Sequence, residues 1–169
     1  GEEWYPGETL IAAIGQGYYL VTPLQQALMA MIVANGGVAY RPFLVNKVLT
    51  PDGQVEKNIE PEVLRTVYLR PETWAVIRQG LSMVVSQGTA AAAFQGFKPA
   101  VAGKTGSAET GRGTVHAWFT CYAPAEDPEI AVAVLVEEGG EGSVSAAPVA
   151  RQILETYFNM TAAATGEGK

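Results

Sequence analysis

Cysteine and histidine are almost absent from this sequence: Cys121 and His116 are the sole representatives of their kind among 169 residues. A single cysteine excludes an internal disulfide framework, and a structural zinc centre needs about four Cys or His ligands. Charge is also scarce, at 17% of residues against 48% hydrophobic, which excludes an intrinsically disordered chain. Basic side chains are outnumbered, 11 Lys and Arg against 17 Asp and Glu, for a net charge of −6. No basic face for a nucleic-acid partner can be built from them. No apolar run reaches the roughly 18–20 residues that span a bilayer. There is neither a signal peptide nor a starting Met. The opening Gly1-Glu2-Glu3-Trp4 reads as a cut in a longer protein, so the lack of a targeting signal excludes little.

What is present fits one domain of ordinary size, 17.8 kDa. Residues 1–20, rich in Gly and aromatics, read as structured loop, with Gly15-Gln16-Gly17 as a tight turn. Thr22-Pro23 reads as an N-cap followed by Pro at the first helical position, and Leu24, Ala27, Leu28 and Met31 recur at helical spacing. Asn35-Gly36-Gly37 stops that helix. Residues 43–49 and 54–59 flank Pro51-Asp52-Gly53 and read as an exposed hairpin. Arg70-Pro71 opens a second helix, with Trp74, Ile77, Leu81, Val84 and Val85 as its apolar face. Gly80 inside it costs about 1 kcal/mol relative to Ala.

The last third reads as strands over 99–108, 114–123 and 129–136, then a helix capped by Ser145 and running to about Phe158. The final residues, 161–169, are small and polar and are expected to fray. Helices, three neighbouring antiparallel strands and a terminal helix make an α+β pattern.

The segment Gly103-Lys104-Thr105-Gly106-Ser107 stands out. Glycine weakens a strand unless a ligand or another backbone must come close. Lys104 brings positive charge, Thr105 and Ser107 bring hydroxyls, and a strand edge brings N–H donors, which together suit an anionic ligand. The residues alone describe at least as well a twisted strand beside a surface hairpin with a solvated lysine. A phosphate-binding loop is excluded. It reads G-x-x-x-x-G-K-[ST] and leads into a helix, but Lys98 stands where its first Gly belongs, and strand and turn follow Thr105.

Lys104-Thr105-Gly106 resembles the K-T-G motif of the penicillin-recognising serine transpeptidases. Its surroundings strengthen the likeness. Gly103 to Glu109 is similar to the K-T-G-T-A-E of class B penicillin-binding proteins, with Ser107 for the second Thr. Ile14-Gly15-Gln16-Gly17 and Thr22-Pro23-Leu24-Gln25 resemble their I-G-Q-G and T-P-L-Q segments. His116-Ala117-Trp118-Phe119 and Tyr122-Ala123-Pro124 resemble the elongation-type branch, penicillin-binding protein 2. One departure is large. The family acts through Ser in S-x-x-K and in S-x-N, and none of Ser82, Ser86, Ser107, Ser143 and Ser145 stands in either motif. The chain is therefore expected to be the C-terminal part of a transpeptidase domain (residues 1–160, with 161–169 a flexible tail), inactive without the N-terminal half.

The resemblance implies a serine transpeptidase/β-lactamase-like fold, with a central antiparallel sheet and helices on both faces. It implies a peptidoglycan D,D-transpeptidase that cross-links stem peptides through a serine acyl-enzyme and is trapped by β-lactams. Lys104 would carry charge near the missing hydroxyl and the substrate carboxylate. Thr105 and Ser107 would bind that carboxylate, Gly106 would let the ligand backbone approach, and the Ser107 N–H would be one oxyanion donor. His116, Trp118 and Gln16 are supporting candidates beside the motif; no acid partner for His116 is evident in the sequence. No metal or other cofactor is implied. Expected partners are an elongation glycosyltransferase and scaffold proteins, with the catalytic domain outside the cell membrane and its anchor not in this chain. Rival readings are a non-catalytic β-lactam sensor or scaffold, and a D,D-carboxypeptidase. One difficulty stands: strand alternation puts Lys104 on the face opposite Thr105 and Ser107, so the motif works only if the strand edge lines the site.

Overall fold

A computed structural model describes residues 3–165, with side chains to Asn159. Helix α1 spans Pro6–Ala13, where a loop was expected. Pro6 sits at its start, and Glu8 holds the entry: Oε2 accepts the Tyr5 N–H at 2.7 Å and Oε1 accepts the Tyr18 hydroxyl at 2.9 Å. Helix α2 spans Pro23–Ala34 and is capped as its sequence implies. Thr22 Oγ1 accepts the Gln25 N–H at 3.3 Å, and Gln25 Oε1 accepts the Thr22 N–H at 2.8 Å. Gly36 and Gly37 end it with φ of +80° and +114°. A β-carbon on Gly37 would strike the Val67 carbonyl, so the stop also makes room for the returning chain.

Strand β1 (Val38–Tyr40) pairs with β4 (Val63–Thr66), and β2 (Lys47–Leu49) with β3 (Val55–Asn58). The second pair is the expected exposed hairpin. The first was not foreseen and forms the base of the same ribbon. Helix α3 spans Pro71–Ser86. Its Arg78 donates to the carbonyls of Val33 and Ala34 at 3.1 and 3.2 Å, which satisfies the end of α2. Gly80 faces open space.

Strands β5 (Ala102–Glu109), β6 (Val115–Ala123) and β7 (Ile130–Val136) form one antiparallel sheet in that order. Helix α4 (Gly142–Thr165) covers one face, burying Ala146, Ala147, Ala150 and Leu154 against Ala117, Phe119, Cys121 and Val132. On the other face Ala34 of α2 packs with Ala102 and Tyr122. The expected α+β architecture, an antiparallel sheet between helices, is what the chain forms. Two details differ. α4 begins three residues before Ser145, whose hydroxyl instead donates to the Gly139 carbonyl at 2.6 Å and ties down the preceding loop. Residues 161–165 of the expected fraying tail continue that helix, and 166–169 lie outside the described residues. Among the described residues no helix is long and apolar enough to cross a membrane.

Candidate active site

Strand β5 is an edge of its sheet, and the K-T-G segment lies at its centre. The register places Lys104 opposite Thr120, Gly106 opposite Trp118 and Ala108 opposite His116. Cross-strand partners share a face, so this set looks toward α2, while Thr105 and Ser107 share the α4 face with Phe119 and Ala117. The edge resolves the difficulty raised by alternation. Lys104 Nζ turns back to donate to the Thr105 carbonyl at 2.6 Å, and Gln16 Nε2 donates to the Ser107 carbonyl at 3.3 Å. Alternate residues of an edge strand turn both N–H and C=O outward. Thr105 and Ser107 are the alternate pair whose carbonyls accept from outside the sheet, so their N–H groups face the same open side.

A cavity of about 700 Å³ runs along this edge. It brings together Lys104, Thr105, Gly106, Ser107, His116, Trp118 and Gln16, every site candidate named from the sequence. Tyr19, Leu20 and Met29 form an apolar wall. The glycines have packing reasons of their own. A β-carbon on Gly103 would lie 2.8 Å from both Cys121 Cβ and Phe119 Cζ, and one on Gly106 3.1 Å from Trp118 Cβ. Gly142, the first residue of α4, sits against the backbone of Gly106 and Trp118 on the opposite face. The motif strand is thus held between a Trp side chain and a helix start.

Sequence reasoning missed three contributors. Thr89, just beyond α3, places its hydroxyl 2.8 Å from that of Thr105. Arg112, on the β5–β6 turn, and Glu138, after β7, also line the cavity. His116 does have an acidic residue as its partner, but through the backbone: the Glu138 N–H donates to His116 Nδ1 at 3.0 Å. In the neutral imidazole the ring proton is then on Nε2. Nothing local in the sequence signals a contact spanning 22 residues. Cys121 is buried in β6, and burial pushes its thiol up to about 12, which makes it unreactive as a nucleophile.

This geometry can be set beside known proteins. The family model described as penicillin binding protein transpeptidase domain matches residues 1–155. The chain belongs to the penicillin-binding protein transpeptidase family. Peptidoglycan D,D-transpeptidase MrdA of Haemophilus influenzae is 34% identical over 175 residues, which covers 92% of this chain and 26% of that protein. Penicillin-binding protein 2 of Pseudomonas aeruginosa, solved with WCK 5153, is 42% identical with a TM-score of 0.77, over 92% of this chain and 33% of the other. Penicillin-binding protein A of M. tuberculosis, solved as its imipenem acyl-enzyme, is 33% identical with a TM-score of 0.76, over 88% of this chain and 33% of the other. These relatives bear out both the transpeptidase fold and the likeness to penicillin-binding protein 2. The chain spans about a quarter to a third of their length.

Proposed function

We propose that this chain supplies the K-T-G wall of a peptidoglycan D,D-transpeptidase active site. Its nucleophilic serine comes from outside these residues, because no serine here stands in S-x-x-K or S-x-N. The observation that carries the reading is the open edge of β5, where Lys104, Thr105 and Ser107 line one cavity in a chain of this family. In the reaction a serine hydroxyl attacks the penultimate D-Ala carbonyl of a stem peptide and passes its proton to a base. The carbonyl oxygen becomes an oxyanion, and the C–N bond then breaks and releases D-Ala with that proton. An amine of a second stem peptide attacks the resulting ester and regenerates the serine.

Each motif residue has a part in that sequence. The Ser107 N–H donates to the oxyanion; losing such a donor typically costs about 10²–10³ in rate. The hydroxyls of Thr105 and Ser107 bind the terminal carboxylate, and Thr89 holds the Thr105 hydroxyl in place. Lys104 adds positive charge beside them. His116, Trp118 and Gln16 shape and support the groove. The partners of this reading are an elongation glycosyltransferase and its scaffold proteins, working with a domain anchored on the outer side of the cell membrane.

Intact mass after incubation with a β-lactam tests it, on this chain and on the complete protein. Adduct on the complete protein alone supports the reading. No adduct on either favours a sensor or scaffold, and adduct on this chain, whatever the complete protein does, overturns the assignment of the nucleophile. Release of product to water with no dependence on an added amine would indicate a D,D-carboxypeptidase.

A further inference from the structure

At the end of the cavity beyond Ser107, Glu138 adopts a backbone that its side chain resists. Its φ is +52°, and no other non-glycine among the described residues has a positive φ. For a residue with a β-carbon this conformation costs roughly 1–2 kcal/mol, and Gly or Asn would lessen it. Two independent contacts hold Glu138 there. Its N–H donates to His116 Nδ1, and its Oε1 accepts from Thr114 Oγ1 at 3.4 Å. The Thr114 hydroxyl is 2.8 Å from that of Thr110, which accepts the Arg112 N–H at 3.2 Å. The Thr110 hydroxyl also donates to the Thr114 carbonyl at 3.1 Å, so a cluster of hydroxyl contacts links the β5–β6 turn to the Glu138 carboxylate. That carboxylate lines the cavity and forms no ion pair among the described residues.

We infer that Glu138 is a specificity-determining residue for the acyl-donor peptide: it receives an ammonium-tipped side chain on the residue just before the cleaved dipeptide. The inference rests on the transpeptidase reading. With the terminal carboxylate at Thr105 and the reacting carbonyl at the Ser107 N–H, the rest of an extended donor runs toward Glu109. The next strand position, Ala108, faces His116, the residue that positions Glu138. The carboxylate itself meets Thr114, which pairs with Thr110 two positions further along. At about 3.3 Å per strand step that is roughly 6–7 Å beyond Ala108, the reach of a side chain of several methylenes on the donor residue that precedes the dipeptide. A cavity with an apolar wall and an unpaired carboxylate at its end suits an aliphatic side chain ending in an amine.

The test uses the complete protein and two donor pentapeptides that differ only in whether this side-chain amine is free or acetylated. D-Ala release gives kcat/KM for each, and their ratio on one preparation cancels any inactive fraction. Wild type should favour the free amine about fivefold, the scale of one solvent-accessible ion pair. Glu138→Gln should bring the ratio close to one. An unchanged ratio in the variant, or no preference in wild type, overturns the inference. A variant that keeps the donor ratio but alters KM for the acceptor amine also overturns it, by moving the ammonium to the other substrate. A wild-type protein that takes no β-lactam adduct instead sinks the transpeptidase reading, and this subsite with it.

Discussion

Two glycine-to-alanine substitutions, chemically identical, should change stability in opposite directions. Gly142 opens α4 against the motif strand. A β-carbon there would lie 2.5 Å from the Gly106 carbonyl oxygen and 3.0 Å from its nitrogen, and closest of all to the Trp118 carbonyl. Every one of these atoms is backbone within a paired ladder, so none can rotate away. Ordinary contact begins near 3.4 Å, and the helix start must back off the sheet by roughly 1 Å to reach it. The seam it would loosen contains Ala146, Ala147, Ala150 and Leu154, each fully buried. Overpacking of this kind costs about 1–3 kcal/mol, occasionally more, and the alanine's helix preference returns at most about 1 kcal/mol. Gly80, in the middle of α3, has nothing within 4 Å of the same position. Gly80→Ala should therefore gain about 0.5–1 kcal/mol. Thermal unfolding of the complete protein separates the two: at about 1 °C per kcal/mol for a protein three to four times this chain's length, Gly142→Ala should melt one to three degrees below wild type and Gly80→Ala up to about a degree above. Since Gly142 abuts Gly106, the first variant should also slow acylation by a β-lactam. A Gly142→Ala protein that melts with or above wild type would refute the close-contact argument.

Other expectations follow from the same geometry. Ser107→Ala removes the hydroxyl and Ser107→Pro the N–H as well, on an open strand edge where proline is tolerated, so acylation by the proline variant should fall about 10²–10³-fold below that of the alanine variant while the protein still unfolds cooperatively. Stopped-flow acylation alongside thermal melting would show it, and a proline variant within threefold of the alanine variant would remove the Ser107 N–H from the oxyanion site. Burial raises the Cys121 thiol from 9.0 to about 12, so its stabilising effect is complete below pH 9 and is lost as pH climbs toward 12, because the unfolded thiol ionises first. The unfolding free energy from urea titrations above pH 9 should fall by up to about 1.4 kcal/mol per pH unit, a slope that Cys121→Ala flattens. Thr22→Ala removes the α2 cap and should cost about 1 kcal/mol by urea denaturation.

The parts legible in the sequence were those whose cause is local. Thr22-Pro23 at the start of α2, the Pro51-Asp52-Gly53 turn and the unbroken apolar run of β7 each carry their reason within a few residues. Lys104-Thr105-Gly106 was legible because a short motif in the right surroundings is itself a local signal. What escaped depends on distant partners. β1 and β4 are three and four residues long and exist only because they meet across the ribbon. α1 was hidden by its Gly- and aromatic-rich setting, although Glu8 braces its first turn. The helix before Ser145 was missed because Gly142 looks like loop until the sheet beneath it is seen. Glu138 is the extreme case: two of its contacts, to His116 and Thr114, lie 22 and 24 residues away.

The side chains that rest on the outward carbonyls of β5 also bear on how its edge is kept. A bare strand edge invites pairing with any passing chain. Here Gln16 and Lys104 occupy two of those acceptors with groups that can leave by rotation alone. A peptide settling along β5 would exchange the Gln16 amide for its own N–H, one hydrogen bond for another, at a net change on the order of 1 kcal/mol. The edge is thus guarded by stand-ins weak enough to give way to a well-aligned ligand, and costly to displace for one that cannot replace their bonds.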